Sequence, residues 1–349
     1  MKKARKIGAI ILLLTLLSAL TACISGEESK NTNDAGENTG VSIGLSIDSL
    51  VIERWQRERD LFVSKASELG AEVNVQNANG IVEDQIKQIE YFIGKKMDVI
   101  VIIAIDDHAL IDVIAKAKKE GIKIIAYDRL IRDANVDLYI SIANEKVGEL
   151  MGKYIKQAIG NSGNIIQIKG SPTDNNVMMV QEGFESVIST TDIVIDYAEF
   201  SDNWVAENGF KVTSAYLASG RIPDAIMCGN DNIAAQAIRA LMENRLGGKV
   251  CVVGQDADLE ACQRIVEGTQ YMTVYKPVEK LAKLAAEMAV DMALGVSLNV
   301  RETINDGSYD VPYEKLAPIA VTKDNMDTVI TGKYHQKNEI YLNVPDKQE

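Results

Sequence analysis

The feature that most constrains the fold is a set of short segments that are apolar on both faces and alternate with segments of helical periodicity. Residues 99–103 read Val-Ile-Val-Ile-Ile, which is typical of a strand buried on both sides in a parallel sheet covered by helices. Between such segments, Leu110, Val113, Ile114 and Ala117 recur at the i, i+3, i+4, i+7 spacing of an amphipathic helix. This alternation predicts an α/β fold.

The number of βα units indicates more than one sheet. Strands are predicted over 41–47, 72–75, 99–103, 123–126, 165–168, 193–197, 225–228, 250–253 and 272–275. This is more than one open sheet comfortably holds, so we expect two Rossmann-like, doubly wound lobes joined by a hinge. A TIM barrel, which also repeats βα units, is the alternative.

The expected lobes are discontinuous in sequence. The N-terminal lobe is predicted to comprise 41–140 and 277–318, and the C-terminal lobe 141–276 and 319–349, because 136–142 and the region near Lys276 are plausible crossings. Glycines and prolines after Leu294 predict a largely irregular segment, with final strands near 319–321 and 339–342.

The N-terminus has the pattern of an export signal. Four basic and no acidic residues lie in the first 23, and the apolar run 10–20 leads into Leu20-Thr21-Ala22-Cys23. The run is too short for a permanent membrane helix, and it resembles a bacterial lipoprotein signal, in which Cys23 carries the lipid. An ordinary secretory signal is the alternative. Residues 1–23 are thus predicted to be a signal peptide and 24–40, largely polar, a flexible tether.

Charge and composition exclude several kinds of function. The net charge is −13, and the chain after residue 23 carries −17 once the four N-terminal bases are removed, which disfavours a nucleic-acid partner. Cys228, Cys251 and Cys262 show no metal-binding or disulfide spacing and are predicted to be small buried residues.

Enzymatic chemistry lacks support in the sequence. His108 and His335 are the two histidines and lie far apart in the chain, which disfavours a catalytic triad or a histidine metal site. Neither of the usual glycine-rich phosphate motifs is present. The chain has enough carboxylates for a catalytic pair of the glycosidase type, but no sequence feature identifies one particular pair. We therefore expect no enzyme activity, no cofactor and no metal.

Polar and aromatic side chains follow the predicted strands at their carboxyl ends, where open α/β sheets bind ligands. They are Asp48, Arg54, Trp55, Asp128, Arg129, Asp174, Asn175, Asn176, Trp204, Asn230, Asp231, Gln255, Asp256 and Lys276. Planar acid, amide and guanidinium groups suit vicinal hydroxyls, and an indole offers a flat surface for the apolar face of a pyranose. A sugar site is the interpretation; taken singly, each Asp or Asn is also a candidate helix cap and Trp204 a candidate packing residue.

Six segments carry a family resemblance. The chain is similar to the xylose-binding members of the type I periplasmic binding proteins, within the ribose- and galactose-binding group. The matching segments are Ile52-Glu53-Arg54-Trp55-Gln56, Ala126-Tyr127-Asp128-Arg129, Asn144-Glu145-Lys146-Val147-Gly148, Gly170-Ser171-Pro172-Thr173-Asp174-Asn175-Asn176, Gly254-Gln255-Asp256-Ala257-Asp258 and Val274-Tyr275-Lys276-Pro277.

The resemblance implies two lobes that close on a monosaccharide, D-xylose or a related pentose. It implies sugar contacts from Arg54, Asp128, Arg129, Asn175, Trp204, Asn230, Asp256 and Lys276, with Trp55 as a second stacking ring. The expected partner is the membrane permease of an ABC importer, and the expected location is the outer face of the cytoplasmic membrane, or the periplasm. A receptor that docks on a membrane histidine kinase needs the same site and stays open as an alternative.

Overall fold

The structure is a computed structural model that describes residues 40–344. The predicted signal peptide, Cys23 and almost all of the predicted tether lie outside the described residues, as do the last five residues. Among residues 40–344, none of the helices has the length and apolar character needed to cross a bilayer.

The described chain alternates strands and helices as the sequence predicts. The strands are β1 (Ser42–Ile47), β2 (Glu72–Asn77), β3 (Val99–Ile102), β4 (Lys123–Tyr127), β5 (Leu138–Ile142), β6 (Ser162–Lys169), β7 (Asp192–Phe200), β8 (Ala225–Cys228), β9 (Cys251–Gln255), β10 (Met272–Tyr275), β11 (Glu302–Asn305), β12 (Asp310–Leu316) and β13 (Ile319–Val321). The helices are α1 (Glu53–Glu68), α2 (Val82–Gly94), α3 (Ile111–Lys119), α4 (Asn144–Ile159), α5 (Asn175–Ile188), α6 (Glu207–Ala218), α7 (Asp231–Glu243), α8 (Leu259–Glu267), α9 (Val278–Ala293), α10 (Met326–Val329) and α11 (Lys337–Ile340).

The strands form two separate open sheets. The first has the order β11-β12-β5-β4-β3-β1-β2 and the second β13-β10-β9-β8-β6-β7. Pairing is parallel except between β11 and β12 and between β10 and β13. Consecutive strands are often not neighbours, so helices cross over the sheets, as in a doubly wound fold. The expectation of two doubly wound α/β lobes is confirmed, and the TIM barrel is excluded.

The chain passes between the sheets three times: between β5 and β6, between β10 and β11, and between β12 and β13. Strand β5 continues to Ile142, two residues beyond the limit of 140 predicted for the N-terminal lobe. The limits predicted at 276–277 and 318–319 lie in the connections between the sheets.

Burial on both faces explains the continuous apolar sequence of β3. Val99 and Val101 pack into one hydrophobic cluster, which includes α9. Ile100 and Ile102 pack into a second cluster, on α2 and α3. Successive side chains of a strand point to opposite faces, so a strand between two helical layers is apolar at most of its positions.

The segment after Leu294 is more regular than the sequence predicts. Strands β11 and β12 form a hairpin, and β12 pairs in parallel with β5 at the edge region of the first sheet. Pro312 within β12 disfavours a strand locally, but pairing with β5 outweighs that preference. The strand predicted at 339–342 is wrong: Lys337–Ile340 is a helix that begins with a capping box between Gln336 and Glu339.

The cysteines Cys228, Cys251 and Cys262 are free in the described part of the chain. Cys228 and Cys262 are buried, and Cys251 is half-buried at the start of β9. Burial raises the pKa of the Cys251 thiol to about 12, so this cysteine is a thiol at neutral pH and a poor nucleophile.

Helices α4 and α5 contact each other through glycines. A Cβ atom at Gly148 would lie 1.9 Å from the Val180 carbonyl oxygen, and one at Gly183 would lie 1.8 Å from the Glu145 carbonyl oxygen. Both distances are far below any van der Waals contact, so the two backbones approach too closely for another residue. The close contact with α5 fixes the position of α4, the helix that follows β5 as the chain passes from the first sheet to the second.

We predict that Gly183→Ala forces α4 and α5 apart and lowers the free energy of unfolding by about 1–3 kcal/mol, as overpacking in a core does. Thermal unfolding followed by circular dichroism measures the change. Gly94→Ala is the matched control: Gly94 ends α2 with nothing near its missing Cβ, so alanine there leaves Tm unchanged or raises it. An unchanged Tm for Gly183→Ala contradicts the packing argument.

Candidate functional site

Loops that leave the strands at their carboxyl ends line a cavity whose empty space, counted together with the open solvent at its mouth, is about 400 Å³. The first sheet contributes α1, which follows β1, and the loop after β4; the second contributes loops after β6 to β10. The lining residues are Ile52, Arg54, Trp55, Asp128, Arg129, Asn144, Asp174, Asn176, Val177, Trp204, Asn230, Gln255, Asp256 and Lys276.

The structure brings together eight of the nine residues that the sequence assigns to ligand contact. They are Arg54, Trp55, Asp128, Arg129, Trp204, Asn230, Asp256 and Lys276. Asn175 does not line the cavity; its Oδ1 accepts a hydrogen bond of 2.9 Å from Arg132. The next residue, Asn176, lines the cavity instead.

Asn144 also lines the cavity although the sequence predictions omitted it. It is the first residue of α4 and comes just after the carboxyl end of β5. The same strand-end rule that identified the other residues would have found it. Asn230, conversely, fits both interpretations, because it lines the cavity and its Oδ1 also caps α7 by accepting from the Ile233 N–H at 2.9 Å.

Arg54, at the start of α1, is held by three carboxylates. Its Nε donates to Glu58 Oε1 at 2.5 Å, its Nη2 donates to Asp128 Oδ2 at 2.8 Å, and its Nη1 lies 3.6 Å from Asp256 Oδ1. Burial opposes the charge, but Asp128, Glu58 and Asp256 outweigh it and raise the pKa of Arg54. Burial also raises the pKa of Glu58 to about 7, although Arg54 acts in the opposite direction.

Arg129 links the two sheets. Its Nη1 donates to Asp48 Oδ2 at 2.8 Å and to the Ala104 carbonyl at 2.7 Å, both on the side of the first sheet. Its Nε lies 2.8 Å from Asp174 Oδ2, after β6 of the second sheet. Asp174 is also the N-cap of α5, since it accepts from the Asn176 N–H at 3.0 Å. The guanidinium is therefore fixed from both sides.

Asp256 and Lys276 form a buried ion pair after β9 and β10. Lys276 Nζ lies 3.0 Å from Asp256 Oδ1. Burial alone would raise the pKa of Asp256, but Lys276 and then Arg54 outweigh burial and hold that pKa below its ordinary value. The carboxylate is thus ionised at neutral pH. Its backbone has a φ of 101°, which a non-glycine residue rarely adopts.

Both tryptophans of the chain line the cavity. Trp55 is 3% exposed, and the Arg54 guanidinium carbon lies 4.3 Å from the centre of its ring. Trp204 lies against the backbone at Gly170, where a Cβ would come within 2.2 Å of the indole Cη2. Glycine at 170 is therefore required for Trp204 to reach its place.

Further hydrogen bonds join the two sheets around the cavity. Asn176 Nδ2, in α5, donates to the Asp128 backbone oxygen at 2.9 Å and to its Oδ1 at 3.2 Å. The same backbone oxygen accepts from Ser141 Oγ at 2.6 Å and from Tyr139 Oη at 3.1 Å. Asp128, with a φ of 65°, is thus fixed by residues that come from both sheets.

Several buried polar atoms around the cavity lack a partner within the protein. Within the described part of the chain, Trp55 Nε1, Asn144 Oδ1, Trp204 Nε1 and Gln255 Oε1 are buried without a hydrogen bond, and all four residues line this cavity. Buried polar groups are normally paired. Two unpaired donors and two unpaired acceptors around one cavity match a small ligand that both donates and accepts, as hydroxyl groups do.

The charged groups of the cavity are engaged with one another. No group of three or more His, Cys, Asp or Glu side chains in residues 40–344 is arranged to hold a metal ion. The carboxylates of Asp128, Asp174 and Asp256 each lie within 3.0 Å of a cationic side chain. The arrangement is suited to binding a polar solute.

Known proteins agree with this description. Residues 43–296 match a family model described as a periplasmic binding protein domain. The chain is 45% identical to the D-xylose-binding periplasmic protein of Haemophilus influenzae, over 94% of this chain and 98% of that protein. It is 43% identical to the D-xylose-binding periplasmic protein of Escherichia coli, over 88% of this chain and 95% of that protein.

Solved structures show the same fold. An ABC transporter solute-binding protein from Clostridium phytofermentans with bound β-D-glucose has a TM-score of 0.77 at 27% identity, covering 86% of this chain and 99% of that one. This structural match agrees with the fold of two open sheets. The chain therefore belongs to the periplasmic binding protein family and is a solute-binding protein, not an enzyme.

Proposed function

We propose that this protein is an exported sugar-binding protein that captures D-xylose or a related pentose and delivers it to an ABC importer. The observation that carries the proposal is the set of buried, unpaired donors and acceptors on Trp55, Asn144, Trp204 and Gln255 around one cavity. The pentose assignment is supported by the two relatives named for D-xylose, at 43% and 45% identity.

The cavity matches the chemistry of a pyranose. Vicinal hydroxyls pair with planar groups that offer two adjacent partners, such as the Asp128 carboxylate or the Arg129 guanidinium. Indole rings pack against the apolar face of the sugar. Hydrogen bonds to charged groups contribute about 1.5–3 kcal/mol each. About five or six of them together with indole stacking, less the cost of association, reach about −8 kcal/mol, a Kd of about 1 μM.

Closure of the two lobes is the proposed capture step. The predicted limits are 41–140 and 277–318 for one lobe and 141–276 and 319–349 for the other; because β5 of the first sheet runs to Ile142, we move the first limit to 142, and we assign the three connections between the sheets to the hinge. Arg54 on the first side lies 3.6 Å from Asp256 on the second, so a sugar bound beside this pair contacts both lobes only when they are closed. A ligand with higher affinity for the closed form shifts the population toward it, and a permease then recognises that form.

Export and anchoring follow from the N-terminal pattern. The relatives are named as periplasmic proteins, and the basic start, apolar run and Cys23 support export with a lipid on Cys23. The polar residues up to 40 then act as a tether that raises the effective concentration of the protein near its membrane partner.

We predict that titration calorimetry with xylose, ribose, arabinose, glucose and galactose gives the tightest binding for xylose, in the micromolar range or below. The change in intrinsic fluorescence gives a second readout, because both tryptophans line the cavity. Clear binding of a hexose with no heat from xylose would overturn the pentose assignment.

We predict that Asp256→Asn weakens xylose binding at least about tenfold, because Lys276 loses its anionic partner at 3.0 Å, Arg54 loses one of its three carboxylates, at 3.6 Å, and a charge-assisted bond is lost. Calorimetry measures Kd, and circular dichroism verifies that the variant is folded. Asp112→Asn is the control, because Asp112 is exposed in the first turn of α3 and does not line the cavity. Equal affinity of the folded Asp256→Asn variant removes Asp256 from the site.

We predict that Cys23→Ser in the full chain moves the protein from the membrane fraction to the soluble exported fraction, because the lipid has no sulfur to attach to. Cell fractionation measures the distribution, and membrane retention of Cys23→Ser contradicts the anchor.

We predict that the wild-type protein, crosslinked on intact cells in the presence of xylose, recovers an ABC permease. Recovery of a sensor histidine kinase in its place contradicts the transport role.

A further inference from the structure

The loop that carries Asp256 has an unfavourable backbone. Asp256 has a φ of 101° and Ala257 a φ of 56°, so two consecutive non-glycine residues lie in the left-handed region. Such conformations persist only where the surrounding structure holds them. Asp256 is anchored to Lys276 and faces Arg54 across the cavity, so whatever holds this loop also sets the position of the carboxylate.

Hydrogen bonds from several parts of the chain hold the backbone of this loop. The Asp256 N–H donates to the Val274 carbonyl at 2.9 Å, and the Ala257 N–H donates to Thr273 Oγ1 at 3.1 Å. Both partners lie in the neighbouring strand β10. The Ala257 carbonyl is joined to His335 Nε2 at 2.9 Å, a residue 78 positions later in the chain, and it also accepts a weaker bond from Cys262 Sγ at 3.6 Å. The Asp258 N–H donates to Asp231 Oδ2 at 3.2 Å.

The surroundings of His335 make its Nε2 a hydrogen-bond donor. It is 4% exposed and lies in the turn between α10 and α11. Because the Ala257 carbonyl oxygen only accepts, Nε2 carries the hydrogen. Burial lowers the pKa of His335, more than its bond to the Ala257 carbonyl raises it, so the ring is neutral at pH 7.

Contacts with α1, the helix that carries Arg54, fix the position of His335. Its ring centre lies 4.5 Å from that of Tyr334. The Arg57 guanidinium carbon, on α1, lies 4.1 Å from the centre of the Tyr334 ring, and Arg57 Nη1 donates to the Tyr334 carbonyl at 2.6 Å. The C-terminal turn therefore contacts both α1 and the Asp256 loop, although His335 and Tyr334 do not line the cavity.

We propose that His335 is a positioning residue for the sugar site: its hydrogen bond to the Ala257 carbonyl holds the strained Asp256 loop so that the carboxylate meets Lys276 and the ligand. This inference rests on the proposed function, because Asp256 is a ligand contact only if the cavity binds a sugar. It assigns a role to the C-terminal turn, whose residues Tyr334 and His335 do not line the cavity.

Two substitutions at His335 separate positioning from general packing. His335→Phe keeps a planar ring but has no donor, and the Kd for xylose is expected to rise about tenfold, the scale of one lost buried hydrogen bond. In His335→Gln an amide N–H replaces the imidazole donor, and the Kd is expected to stay within about threefold of wild type. His108→Gln is the control, because His108 is exposed, with 56% of its side chain accessible, and its affinity is expected to be unchanged.

The protein with His335 intact provides a second test, which does not depend on the His335 variants folding. Since the chain has two histidines, His108→Gln assigns the imidazole NMR signals. Saturation with xylose is expected to shift the His335 signals and leave those of His108 in place. A folded His335→Phe with wild-type affinity overturns the inference, and so do unshifted His335 signals. Wild-type protein that binds none of the five sugars refutes the proposed function itself, and the role of His335 falls with it.

Discussion

The site depends on the compensation of buried charge across the space between two sheets. Arg54, Arg129 and Lys276 are almost fully buried, and each contacts at least one carboxylate within 3.0 Å. An isolated buried charge is very costly, whereas a paired and hydrogen-bonded one is tolerated. The pairs therefore require the strand ends of both sheets to stay close, and they leave a ring of polar groups around the cavity.

Backbone strain and close glycine contacts accompany these pairs. Asp128 and Asp256 both lie at positive φ, and Trp204 reaches the cavity only because residue 170 has no side chain. Such features weaken the fold when taken alone, and they concentrate where side chains must be aimed at a ligand. The surrounding parallel strands, buried on both faces, supply the rigidity that maintains them.

Much of the fold and most of the site could be predicted from residue patterns. Continuous apolar strands and amphipathic helices follow from burial on both faces of a parallel sheet, and the strand-end rule locates Arg54, Asp128, Asp256 and Lys276 without any coordinates. The strand-end rule does not distinguish between two adjacent residues. At the start of α5, the helical turn directs Asn176 to the cavity and Asn175 to Arg132, and adjacent asparagines give no local signal that tells them apart.

The sequence by itself determined the α/β class, the two sheets and the chemical types of residue at their strand ends, because these follow from local periodicity and from the geometry of parallel strands. The tertiary structure alone decided which partner each charge takes, that β12 joins β5 despite Pro312, and that His335 supports the Asp256 loop from 78 residues away. Those contacts join residues distant in the chain, and their energies depend on burial, which no local pattern encodes.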